Sequence, residues 1–142
     1  MKNLLLFIIP FFMFSCTKED EITPKKIENP KAIFNNTSEW YVSKYTENNV
    51  DSTKLFTKFW VSFNEDETCA ERIKFISPLL EVWGIWEITQ YPQTTGMIIY
   101  FPPVGGLDNL EGEWFFNSLD VNKIHLFRTN RYDEDQELIL IR

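Results

Sequence analysis

Across residues 55–64 apolar and polar side chains alternate: Leu55, Phe59, Val61 and Phe63 share one parity, while Lys58, Ser62 and Asn64 take the other. A period of two marks a strand with one buried face, and it fixes which face is buried, because a one-residue slip would turn every apolar group outward. Asn64-Glu65-Asp66-Glu67 supplies a hairpin turn, after which Cys69, Ile73 and Phe75 return in phase with Arg72 and Lys74 opposed. A single hairpin is at best marginally stable in water. The chain must bring further strands to cover this face.

Six more β-type runs do so, at residues 39–45, 81–89, 97–101, 113–116, 123–128 and 136–141. Turn chemistry separates them: Asn48-Asn49 with Asp51-Ser52, Ser77-Pro78, Pro102-Pro103 with Gly105-Gly106, and residues 130–135. No helical period outlasts a turn. Short strands at this spacing predict an all-β domain, an antiparallel meander that removes its own edges by closing into a barrel.

The array of Trp40, Phe59-x-Val61-x-Phe63-Asn64-x-Asp66-x-Thr68, Gly84-x-Trp86-x-Ile88, Trp114 and Lys123-Ile124-x-Leu126 resembles the lipocalin-like domains of small bacterial lipoproteins over residues 38–142. The resemblance implies a small antiparallel up-and-down eight-stranded lipocalin-like β-barrel with an apolar ligand at its mouth. Where that family's hairpin usually has Asp-Gly this chain has Asp66-Glu67, which implies a longer loop. Strand patterns specify a fold and are silent on activity.

The inward parity collects Trp40, Val42, Phe59, Val61, Phe63, Phe75, Trp86, Ile88, Trp114, Phe116, Ile124, Leu126 and Leu138 as ligand-lining or core residues. An eight-stranded barrel is just wide enough to be filled by side chains or to hold one small ligand, and rings of this size favour filling. The outward parity carries a rival site. Phe56 and Trp60 flank Lys58, and Trp83 and Ile85 stand between Glu81 and Glu87. Exposed aromatics with a polar rim suit contact with an envelope protein or a glycan. Ile33 and Phe34 are the segment that would otherwise cover them.

The N-terminus gives an address. Lys2 precedes the apolar run 4–14, too short at about 1.5 Å per residue to cross a hydrocarbon layer of about 30 Å, so it reads as a signal peptide. Met13-Phe14-Ser15-Cys16 resembles the lipobox of bacterial lipoproteins, although Met13 replaces the usual Leu and Phe14 is bulkier than the common small residue. The resemblance implies acylation, palmitate included, and cleavage at Cys16, hence lasting membrane attachment. Thr17-Lys18-Glu19-Asp20-Glu21 resembles the export signal of lipoproteins displayed on the outer face of the outer membrane; its plainer reading is a solvated linker. The expected organisation is a signal peptide at 1–15, a lipidated cysteine and flexible acidic tether at 16–36, and the barrel at 37–142. The expected location is the outer membrane, with display on the cell surface.

A net charge of −7 argues against nucleic acid as a partner. Acylation of Cys16 would leave Cys69 without a disulfide partner, and its parity makes it an inert core thiol. His125 is the single histidine, expected at the surface. Metal binding and nucleophilic catalysis both need more such groups than this, and Asp133-Glu134-Asp135 lacks the glycine of a calcium loop. Glu71 alone is a carboxylate at inward parity, which places it near a barrel mouth or bulge. No cofactor is implied. Two readings remain: a non-catalytic module binding a small apolar ligand, and an interaction module using the exposed aromatics.

Overall fold

A computed structural model of the chain describes residues 22–34, 39–73, 81–103, 106–129 and 135–142. Its strands are β1 (Glu39–Glu47), β2 (Val50–Asp51), β3 (Phe59–Phe63), β4 (Thr68–Ile73), β5 (Glu81–Gln90), β6 (Thr95–Tyr100), β7 (Gly112–Leu119), β8 (Lys123–Thr129) and β9 (Asp135–Ile141). From β3 to β9 each pairs antiparallel with the next, and β9 returns to β1 from Tyr41↔Ile141 to Glu47↔Gln136. Together with the β1–β3 pairing this closes an eight-stranded up-and-down barrel of lipocalin-like topology, as the alternation predicts. The two-residue β2 is a flap folded back on the end of β1. Asn48 and Asn49 make that turn at φ 50° and 63°, the left-handed pair that short hairpins need and that asparagine tolerates.

Two bulges reset the parity. In β1 the register shifts between Val42 and Lys44, so that Trp40 faces inward before Ser43 and Tyr45 faces inward after it. In β7 the shift falls between Phe116 and Ser118 and leaves Asn117 as the extra residue. An extra residue in one strand bends it and re-aims the side chains beyond the bend.

The interior is a continuous packing of large side chains: Trp40, Phe63, Trp86, Met97, Ile99, Trp114, Phe116, Ile124, Leu126, Leu138 and Leu140 are all buried. Val61 is buried with them, Phe59 and Ile88 are partly buried against this cluster, and Phe75 lies outside the described residues. Full burial of one such side chain stabilises the fold by about 1.5–3 kcal/mol, so filling the barrel is its main source of stability.

One end is sealed by residues 22–34, a stretch that the composition assigns to a free tether except at Ile33 and Phe34, the two apolar residues expected to pack on the domain as a short turn or helix. Lys25 N–H donates to Phe116 O at 2.8 Å and Lys25 O accepts from Thr95 N–H at 3.0 Å, so the segment wedges between β6 and β7. Ile27 N–H then bonds Thr95 Oγ1 at 2.9 Å. The short helix α1 (Lys31–Phe34) comes next and drives Phe34 under the barrel. Its ring centroid lies 4.8 Å from Trp86, 5.3 Å from Phe63 and 6.3 Å from Trp40. The correction concerns the residues before Ile33, which are fastened along β6 and β7; apolar surface explains Phe34, which gains more by covering these rings than the chain loses in freedom.

The β3–β4 hairpin also departs from expectation. It stays tight without glycine, with Asn64 N–H to Thr68 O at 2.9 Å and Glu67 held at φ 66°. Asp66 Oδ1 accepts from the Thr68 hydroxyl at 2.6 Å and from its N–H at 3.1 Å, and Lys31 pairs with Glu67 across the sealed end.

Candidate functional site

The other end carries polar groups at inward positions. Arg128 and Gln136 face each other across β8 and β9, one step beyond the buried pair Leu126 and Leu138. Glu47 faces Gln136 in turn from β1. Arg128 Nε donates to Gln136 Oε1 at 2.6 Å, and the Gln136 amide donates to Glu47 Oε1. The guanidinium lies over the Trp114 ring, 4.0 Å from its centroid, with Nη1 on Glu111 O and Nη2 on Asn109 O at 2.9 Å. Burial lowers the pKa of Arg128 from its ordinary value, opposed by the nearby Tyr45 and Glu47. Gly112 makes room, since a Cβ there would sit 2.7 Å from Arg128 Nη1, and its φ of 118° suits glycine alone.

A loop caps this end. After Phe101 the chain folds inward through Leu107 and a 3-10 turn, Asp108–Leu110, burying Phe101, Leu107 and Leu110 in the barrel mouth. Glu71, wholly buried on β4, anchors the start of that turn by accepting from the N–H groups of Gly106 and Leu107. Arg128 holds its far end by the carbonyls just named. The inward carboxylate of the sequence is therefore a fastening for the cap.

Beside the cap lies a cleft of about 760 Å³, whose lining includes Tyr45, Leu55, Asp108, Glu111, Phe115 and Arg128. Carboxylates and carbonyls form one part of its wall, rings and Leu55 another. Among the described residues no group of three or more His, Cys, Asp or Glu could hold a metal.

The residues of the two expected sites separate. Trp40, Val61, Phe63, Trp86, Trp114 and Leu126 lie in the packed interior and do not line the cleft. Phe56 is a correction: it is 1% exposed, whereas its neighbour Leu55 is 65% exposed. The strand begins only at Phe59. Residues Thr53–Phe56 form a 3-10 turn that reverses the parity and packs Phe56 on Tyr45, centroids 4.8 Å apart. Trp60 is half-buried beside Tyr41 on the outer wall, centroids 6.1 Å apart. Trp83 and Ile85 do stand in solvent, 55% and 61% exposed, and β6 adds Ile98 and Tyr100 beside them. The cleft residues Glu47, Arg128 and Gln136 were missed, although a polar residue in phase with buried leucines at a strand end is a signal that could have found them.

Cys69 is fully buried, and burial pushes its thiol up to about 12. His125 is a second correction, for it is mostly covered. The Asn117 amide nitrogen lies 3.0 Å from Nδ1, which leaves the ring proton on Nε2, 2.8 Å from Glu137 Oε1. Burial lowers its pKa, with Glu137 opposing.

No protein-family model matches the chain, and no curated protein does. Two solved structures are similar in overall shape. Japanin from Rhipicephalus appendiculatus, bound to cholesterol, aligns at TM-score 0.45 and 15% identity, over 81% of this chain and 79% of its own. An uncharacterized protein from Bacteroides eggerthii aligns at TM-score 0.45 and 11% identity, over 75% of this chain and 98% of its own.

Proposed function

We propose that this chain is a non-catalytic binding module of the cell envelope, related to the lipocalin-like lipoproteins and held to the outer membrane through an acylated Cys16. Its ligand is a small amphipathic molecule taken into the cleft beside the cap. The cleft carries this reading: its volume of about 760 Å³ falls in the range of small-molecule sites, and its wall mixes apolar surface with a few convergent polar groups. The interior is the weaker candidate, because Trp40, Trp86, Met97 and Trp114 already occupy it. The run 4–14 and Ser15-Cys16 support the address. A thiol kept protonated and a neutral imidazole bonded within the wall support the absence of catalysis.

Native mass spectrometry of the full chain, purified from its own host in mild detergent, tests both parts. The expected result is a polypeptide carrying acyl mass at Cys16 together with a small-molecule adduct. The adduct should vanish in T129W, which puts a ring into the cleft, and persist in I88A, which loosens the interior instead. An adduct-free wild type under gentle conditions, or an adduct lost only in I88A, overturns the cleft. A chain of unacylated mass overturns the anchor.

A further inference from the structure

We propose that the outer face of β5 and β6 is the surface on which the barrel lies against the phospholipid bilayer; this rests on the acylation of Cys16 proposed above. The face is one patch. Ile85 pairs with Tyr100 and Glu87 with Ile98, so Trp83, Ile85, Ile98 and Tyr100 crowd together on the solvent side of two neighbouring strands. All four are exposed, from 37% to 61%. Trp and Tyr have an apolar body and a polar tip, which suits the headgroup level of a bilayer, and isoleucine suits the acyl boundary beneath it.

The place where the chain leaves the barrel favours the same face. Thr23 N–H bonds Asn117 on β7, and Lys25 is wedged between Thr95 of β6 and Phe116 of β7. Between Cys16 and that fixed point stand residues 17–22, a span of about 25 Å at full stretch. From Thr95 to Tyr100 the strand rises about 17 Å. The leash therefore lets the β5–β6 face reach the bilayer and is too short to carry the barrel far from it. Charge defines the lipid. Glu87 and Glu113 both pair with Ile98 across the strands, so the face meets zwitterionic headgroups better than anionic ones.

The test uses the full acylated chain in vesicles of zwitterionic phospholipid, with and without bromine on the acyl chains. Trp40, Trp86 and Trp114 are buried and Trp60 is half-buried on β3, so quenching that W83F removes belongs to Trp83. The expected result is quenching in the wild type that is lost in W83F, with unchanged circular dichroism. In W83F/V121W the reporter moves to the β7–β8 turn at the sealed end, and its emission should be untouched by bromine. Quenching of W83F/V121W without quenching of the wild type would stand the barrel on its sealed end and overturn the proposal. No quenching in either, from protein that still sediments with the vesicles, would assign the patch to a protein or glycan and overturn it too. Failure of the anchor shows separately, as a chain of unacylated mass left in the supernatant, and it removes both proposals.

Discussion

Glu71 on β4 and Gly106 in the capping loop meet inside the barrel mouth, the Gly106 N–H donating to Glu71 Oε1 at 2.7 Å, with Leu107 N–H on Oε2 at 3.3 Å. A buried main-chain donor left without an acceptor costs about 1–3 kcal/mol. Glu71→Ala strands two of them and should lower the unfolding free energy by at least that much. Glu71→Gln keeps one acceptor and should cost less. Urea denaturation of the two variants checks the order, and equal losses would mean that the carboxylate does not hold the cap.

Gly106 is confined from its other side by a ring. A Cβ on it would lie 2.2 Å from Phe59 Cζ, well inside contact. Gly106→Ala should therefore cost about 1–3 kcal/mol, the usual range for overpacking, and much of that should return in Gly106→Ala/Phe59→Leu. A purely additive double variant, measured by thermal unfolding, would place the strain elsewhere.

Glu67 holds a left-handed conformation at φ 66°, which costs a non-glycine residue about 1–2 kcal/mol. Its ion pair with Lys31 is solvent-exposed and of the kind worth about 0–1 kcal/mol. The backbone effect wins. Glu67→Gly is expected to raise the urea midpoint, with a net gain of about 0.5–1 kcal/mol. A lower midpoint would show that the ion pair matters more than the turn.

His125 gives a pH dependence of definite sign. Burial depresses its pKa in the folded chain, whereas the unfolded chain titrates near the ordinary value of about 6.5. Just below that pH the unfolded state binds the extra proton and the folded state does not, so stability present at neutral pH is lost as the pH falls. Unfolding free energies from pH 7.5 down to pH 5.5 should drop more steeply for the wild type than for H125Q. Parallel curves would sink the assignment.

Cys69, with its thiol pushed up to about 12, has almost no thiolate at pH 8. A thiol reagent should leave it untouched in the folded protein and titrate it fully in guanidinium. Fast labelling of the native chain would mean that the barrel opens far more readily than its packing allows.

The barrel was legible because its strongest signals are local. Phe59, Val61 and Phe63 on β3, and Trp86 on β5, announce their face by spacing alone, and the eight expected runs correspond to the eight strands of the closed sheet. Errors fell where one inserted residue changes the count. The bulge at Ser43 brings Tyr45 inside, and the 3-10 turn at Thr53–Phe56 exchanges Leu55 for Phe56. Neither leaves a trace in a pattern of period two. The cleft was illegible for a different reason. Glu47, Arg128 and Gln136 lie far apart in the chain, and only the return of β9 to β1 brings them to one rim.

That same return sets an order of events during synthesis. The wedge at Lys25 emerges early, yet Thr95 and Phe116, which receive it, appear only after most of the polypeptide has been made. Until Ile141 arrives to pair with Tyr41, the edge of the first strand that β9 will occupy has no partner. A stalled or clipped product would thus present its oily lining to solvent, where it becomes prey for chaperones and proteases. Intactness is what the closing seam certifies.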